Sequence, residues 1–163
     1  MSADVPIAYY ITWTLYGTHL QGAETGWRKY GKGFQAPQPF LEAWHAKRLK
    51  YPIMLLDQRG REIVNDIIAR HCVIRSWHLW IANARSNHVH VVVSAPSHRG
   101  NIVRDQLKAN GTKALRDSIP KFLNRPVWTE GGDWQCVDTE SDLDEVIRYA
   151  SEAQDLKWIE RSS

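Results

Sequence analysis

Two histidines separated by one residue, His88 and His90, stand at the entry to a valine run, Asn87-His88-Val89-His90-Val91-Val92-Val93-Ser94. On a strand successive side chains alternate between faces, so His88 and His90 point one way while Val89, Val91 and Val93 point the other. One face is built to be buried and the other to bind. Imidazole suits several transition metals and oxygen ligands can complete the shell, which makes the pair a two-point clamp for a divalent ion. The common zinc patterns fit poorly. His90 is followed by Val91-Val92-Val93 rather than by the further Asp and His of zinc hydrolases, and the chain has no Cys-x-x-Cys. A bare His-x-His equally describes two half-exposed histidines on an ordinary sheet, so the chemistry depends on what the rest of the chain brings to that face.

The elements that must position the pair can be read in order. Tyr9 to Tyr16 is rich in aromatic and β-branched residues and ends at Gly17, which predicts a first strand with Tyr10, Thr12, Thr14 and Tyr16 on its more polar face. Residues 17–39 are glycine-rich without a steady period and read as a long loop. Phe40 to Tyr51 has helical character and a basic end at Lys47, Arg48 and Lys50 before Pro52 interrupts it. A stronger helix begins near Asp57, where Ile63, Val64, Ile67, Ile68 and Cys72 recur at helical spacing. Trp77 to Ala82 reads as a strand, Arg85-Ser86-Asn87 as a turn, and His88 to Ser94 as its hairpin partner. Asn101 is placed to cap a helix to about Ser118, although Gly111 weakens its middle. Pro120 to Gly132 reads as a loop and Trp134 to Val137 as a last short strand. Thr139 or Ser141 then caps a terminal helix through Leu143, Val146, Ile147 and Ala150. The order is βαββαβ, the α+β ferredoxin-like sandwich with an antiparallel sheet, plus a C-terminal helix. Two crossover helices should cover the valine face, and the terminal helix could bring Tyr149 to the histidines.

Composition bounds the rest. The 163 residues suit one domain spanning 1–163, and 43% hydrophobic against 24% charged residues is globular rather than disordered. A net charge of +3 permits nucleic-acid binding without demanding it. Cys72 and Cys136 are far apart in sequence and read as reduced, buried thiols of a cytosolic protein. Met1 to Pro6 lacks the features of a secretory signal, and no apolar run approaches the roughly 20 residues of a membrane span, so a soluble, cytoplasmic protein without membrane partners is expected.

Asn87-His88-Val89-His90-Val91-Val92-Val93, the hairpin that precedes it, a following helix with Leu107-Lys108 and a terminal helix with Ile147-Arg148-Tyr149 together resemble the single-tyrosine HUH transposases of insertion-sequence type, including the REP-associated tyrosine transposases. HUH stands for histidine, hydrophobe, histidine, here His88, Val89 and His90. The resemblance covers Tyr9 to Asp155.

It implies a metal-dependent endonuclease and strand transferase acting on single-stranded DNA, at hairpin-bearing ends, in a bacterial cytoplasm and in association with the nucleoid. Tyr149 becomes the nucleophile that forms a covalent 5′-phosphotyrosine, and His88 and His90 become ligands of Mg²⁺ or Mn²⁺. Relatives often place an amide ligand one turn after the tyrosine, where this chain has Ala153. Glu152, nearer the Tyr149 face, is the preferred third ligand and Gln154 the alternative. Phosphate contacts fall to Arg85, Arg104, Lys108 and Lys113, with Arg28, Lys29 and Lys32 in the long loop. Trp27, Tyr30 and Trp80 are the aromatics that could stack on bases. Relatives work either as monomers or as homodimers that exchange the tyrosine helix, and the sequence leaves that open. Ala153 also motivates an alternative, a domesticated protein that binds single-stranded or hairpin nucleic acid with weak or no cleavage. A more distant reading is a small metal-dependent hydrolase of another substrate.

Overall fold

Tyr9, Ile11 and Trp13 are buried on one side of β1 (Ala8–Thr14), while Tyr10, Thr12 and Thr14 line the other. The computed structural model describes residues 5–18, 27–29, 33–35 and 49–154, with only the backbone described at 27–29 and 33–35. After β1 come a short hairpin, β2 (Trp27–Lys29) and β3 (Gly33–Gln35), then α1 (Gln58–Arg75), β4 (His78–Ala84) and β5 (His88–Ser94). The chain continues as α2 (Gly100–Ser118), a 3₁₀ turn at Pro120–Phe122, β6 (Asp133–Val137) and α3 (Glu140–Ser151). The expected loop over 17–39 thus contains the β2–β3 hairpin. The expected Phe40–Tyr51 helix lies outside the described residues up to 48, and 49–51 are not helical.

The main sheet has the order β4-β5-β1-β6, with every neighbouring pair antiparallel. This is the ferredoxin-like α+β arrangement, with β5 and β1 at its centre. Val89, Val91 and Val93 of β5 are completely buried and join Ile11 and Trp13 in the large core. Two helices cover that core. Asp57 caps α1 by accepting from the Gly60 N–H at 2.8 Å, and Val64, Ile68 and Cys72 recur every four residues along its buried side. Val103, Leu107, Gly111 and Leu115 do the same on α2. Gly111 has a packing reason, because a Cβ there would stand 3.0 Å from the Trp128 ring.

Several boundaries differ from the sequence expectation; β4 runs His78–Ala84 rather than Trp77–Ala82, and β6 begins at Asp133 rather than Trp134. The N-cap of α2 is Arg99 rather than Asn101, which lies inside the first turn. Gly100 begins the helix with the Trp134 ring against it, so close packing rather than a capping side chain sets the entry. The first strand ends at Thr14, and Leu15 makes only an isolated bridge to Trp128.

The opposite face of the sheet carries a smaller cluster, where Ala8, Val92 and Val137 meet Leu143 and Ala150 of α3. Thr139 caps this helix by accepting from the Asp142 N–H at 3.0 Å. The terminal helix therefore packs on the histidine side, against the other face from α1 and α2. Both thiols are free, but only Cys72 is buried as expected; Cys136, on the outer strand β6, is exposed. Among the described residues no helix is long and apolar enough to cross a membrane.

Candidate functional site

The alternation of β5 that buries three valines presents His88, His90 and Val92 to the α3 face. In register, His88 faces Thr14 and His90 faces Thr12 on β1, while Asn83 of β4 faces His90 from the other side. Thr12 in turn faces Asp133 on β6. One row across the sheet therefore reads Asn83, His90, Thr12, Asp133. The two imidazoles lie 4.6 Å apart between ring centres, and both are buried.

Each ring is held at Nδ1. Asn87 Oδ1 lies 2.6 Å from Nδ1 of His88. A carboxamide oxygen only accepts, so as a neutral imidazole His88 carries its proton on Nδ1 and leaves Nε2 as the unprotonated nitrogen. Tyr10 Oη lies 2.6 Å from Nδ1 of His90, with the two rings stacked at 5.9 Å. Burial, followed by the positive charge of Arg85, pushes His90 down to about 4, which keeps it neutral at physiological pH. Burial also raises the Tyr10 phenol, with the charges of Tyr149 and Asp133 adding to the effect, so Tyr10 stays protonated. Its hydroxyl can accept from Nδ1–H of His90, and that arrangement leaves the His90 Nε2 unprotonated as well.

The third aromatic is Tyr149. Its ring lies 6.3 Å from that of His90 and 6.3 Å from that of Tyr10, edge-on to both. It remains 64% exposed, so it meets the site while staying open to a large substrate. The helix that carries it is fastened by apolar contacts of Leu143 and Ala150, and by Asn83 Nδ2, which donates to the Ala150 carbonyl at 2.7 Å and the Ala153 carbonyl at 3.5 Å.

Two imidazoles oriented through Nδ1 suit a divalent cation. Among the described residues, however, no group of three or more His, Cys, Asp or Glu side chains is placed to hold one. Glu152 does not stand with the histidines. It is the C-cap of α3, its N–H donates to the Arg148 carbonyl at 3.1 Å, and its side chain is exposed. The Gln154 amide donates to the Glu152 carbonyl at 3.3 Å.

The basic residues divide. Arg85 lies in the β4–β5 turn, where its N–H donates to the His88 carbonyl at 2.7 Å, and its charge is felt at His90. Arg104, Lys108 and Lys113 stand on α2, across the sheet from the histidines. Lys108 donates to the carbonyls of Thr129 and Gly131 at 2.9 and 2.6 Å, and Arg104 to that of Gly132 at 3.0 Å. These two tie down the loop before β6. Lys113 is exposed and paired with Asp117 at 2.8 Å. The side chains of Arg28 and Lys29 lie outside the described residues, as do Tyr30 and Lys32. Trp80 is 42% exposed, with its indole N–H bonded to Ser94 Oγ at 2.9 Å.

Sequence reasoning put Tyr10 on the polar face of the first strand but gave it no role, and it passed over Asn83. The signal for Asn83 was present as a carboxamide interrupting the run Leu79-Trp80-Ile81-Ala82.

No family model and no curated protein matches the chain. A solved structure of a protein from Deinococcus radiodurans R1, assigned as a transposase, is similar in fold. The TM-score is 0.55 with 11% identity, covering 96% of this chain and 97% of that one.

Proposed function

We propose that this chain is a metal-dependent endonuclease and strand transferase of the single-tyrosine HUH transposase type, acting on single-stranded DNA with hairpin-bearing ends. The observation that carries the reading is the Tyr149 ring 6.3 Å from that of His90 within one chain, on the sheet face where both histidines are held through Nδ1. The fold shared with a protein assigned as a transposase supports it. So does the exposure of Tyr149, which a buried structural tyrosine would not need.

In this reading Tyr149 Oη attacks the scissile phosphorus. The Oη–P bond forms, the P–O3′ bond breaks, the tyrosine proton leaves to solvent, and the departing 3′ oxygen takes up a proton. The 5′-phosphotyrosine conserves the energy of the ester, so a later 3′-OH can displace Tyr149 and rejoin DNA without ATP. Mg²⁺ or Mn²⁺ held by His88 and His90 would polarise the phosphate and support the 3′ oxygen. Tyr10 and Asn87 keep the two rings in place, and Arg85 supplies positive charge beside them for the backbone. In this reading Tyr149 serves the histidines of its own chain, and the proposal is cleavage by a monomer.

The alternative, a domesticated nucleic-acid binder with weak or no cleavage, is favoured by Ala153 one turn after Tyr149 and by the lack of a three-ligand group among the described residues. One experiment separates the readings. The protein is incubated with labelled single-stranded hairpin DNA and Mn²⁺, and denaturing gels are read for a covalent adduct. An adduct abolished in Tyr149→Phe and in His88→Ala supports the enzyme. Tight, metal-indifferent binding without adduct selects the binder, and hydrolysis unaffected by Tyr149→Phe selects a hydrolase.

A further inference from the structure

We propose that Asn83 is a positioning residue that holds the last turn of α3 over the row of the sheet carrying His90, and so sets how far Tyr149 stands from the histidines. The inference rests on the function proposed above. Asn83 is the cross-strand partner of His90, and its Nδ2 donates to the carbonyl of Ala150, the residue after Tyr149, at 2.7 Å. The same nitrogen lies 3.5 Å from the Ala153 carbonyl.

Three physical arguments point the same way. The final carbonyls of a helix are poorly served from within it, and although the Glu152 and Ala153 N–H groups reach the Ala150 carbonyl, the latter at 3.4 Å, the Asn83 donor is closer than that, at 2.7 Å. Among the described residues the other attachments of α3 are the apolar contacts of Leu143 and Ala150, with Val146 and Ile147 beside them, and the edge-on ring contacts of Tyr149 with His90 and Tyr10, and apolar contact is non-directional. Such a contact tolerates rotation and slip of the helix, whereas a hydrogen bond to a named carbonyl fixes both. The donor here must also be uncharged. A lysine or arginine could satisfy the carbonyls but would add a further cation to the charge Arg85 already places near His90, and an aspartate offers only acceptors. A carboxamide meets both conditions.

The test compares Asn83→Ala and Asn83→Gln with the unsubstituted chain in three readouts: single-turnover adduct formation, Mn²⁺ affinity by calorimetry, and hydrogen exchange of the Glu152 and Ala153 amides in the DNA-free protein. A misplacement of about 1 Å at a reacting group can cost roughly a hundredfold in rate. Asn83→Ala is therefore expected to slow the adduct by about 10- to 100-fold while Mn²⁺ affinity changes less than about twofold. The two amides should exchange faster while those of β5 do not. Asn83→Gln, which keeps the donor, should recover part of the rate. The proposal is overturned if exchange at the last turn is unchanged, if rate and metal affinity fall together, or if glutamine does no better than alanine. Absence of adduct in the unsubstituted chain defeats the proposed function instead, and the exchange measurement still decides whether Asn83 holds the turn.

Discussion

The Tyr10 hydroxyl lies 2.6 Å from Nδ1 of His90, and the same phenol ring meets Tyr149 edge-on at 6.3 Å. Tyr10 is thus the shared neighbour of the proposed ligand and the proposed nucleophile. It orients the first by a hydrogen bond and borders the second only by contact.

Tyr10→Phe keeps the ring and its stacking but removes that hydrogen bond. Loss of such an outer partner typically costs about 10- to 100-fold in metal affinity. Calorimetric titration with Mn²⁺ should show a drop of about that size, with the far-ultraviolet circular dichroism unchanged.

The depression of His90 makes stability depend on pH. Its ordinary value is 6.5 and its folded value about 4. Between those values the unfolded chain binds more protons at this position, so stability falls as pH drops through the window and is level above it. The limiting slope from one group is about 1.4 kcal/mol per pH unit. Urea unfolding in EDTA from pH 7 to 4.5 should therefore show a steeper loss for the unsubstituted chain than for His90→Gln, which has nothing to titrate there.

The two thiols should differ sharply in reactivity. Burial pushes Cys72 up to about 11, whereas Cys136 is exposed on β6. At pH 8 only about one Cys72 in a thousand is thiolate, the reactive form. Maleimide should label one thiol rapidly, Cys136→Ser should abolish that fast phase, and the second equivalent should react only in denaturant.

Gly100→Ala tests the packing at the start of α2. A Cβ there would fall 2.2 Å from Cε3 of Trp134, which forces the indole or the helix to move. Overpacking of this kind costs about 1–3 kcal/mol. The urea midpoint should fall by the corresponding amount.

Alternation and periodicity are local properties, and they carried the architecture. The valine face, the histidine face, the stripe from Val64 to Cys72 and the position of the terminal helix follow from spacing alone. What spacing does not encode is which atoms meet across strands. Tyr10 reaches His90 diagonally, because its direct partner on β5 is Val92. Lys108 has the position of a surface cation on α2, but the carbonyls of Thr129 and Gly131 claim its ammonium. Asn101 has the side chain of a cap, yet the packing of Gly100 against Trp134 starts the helix earlier. Glu152 has suitable chemistry and spacing from Tyr149, but α3 ends there, its side chain is exposed and it joins no group of three ligands among the described residues.

The outer strand β4 loses register between Leu79 and Ile81, where Trp80 is the extra residue. A regular outer strand offers a ladder of donors and acceptors that any passing extended segment can extend into a larger sheet. The irregularity at Trp80 breaks that ladder partway along and increases the local twist. The β4 margin of the sheet is thereby a poorer template for intermolecular β-pairing, a protection against aggregation that comes from one added residue.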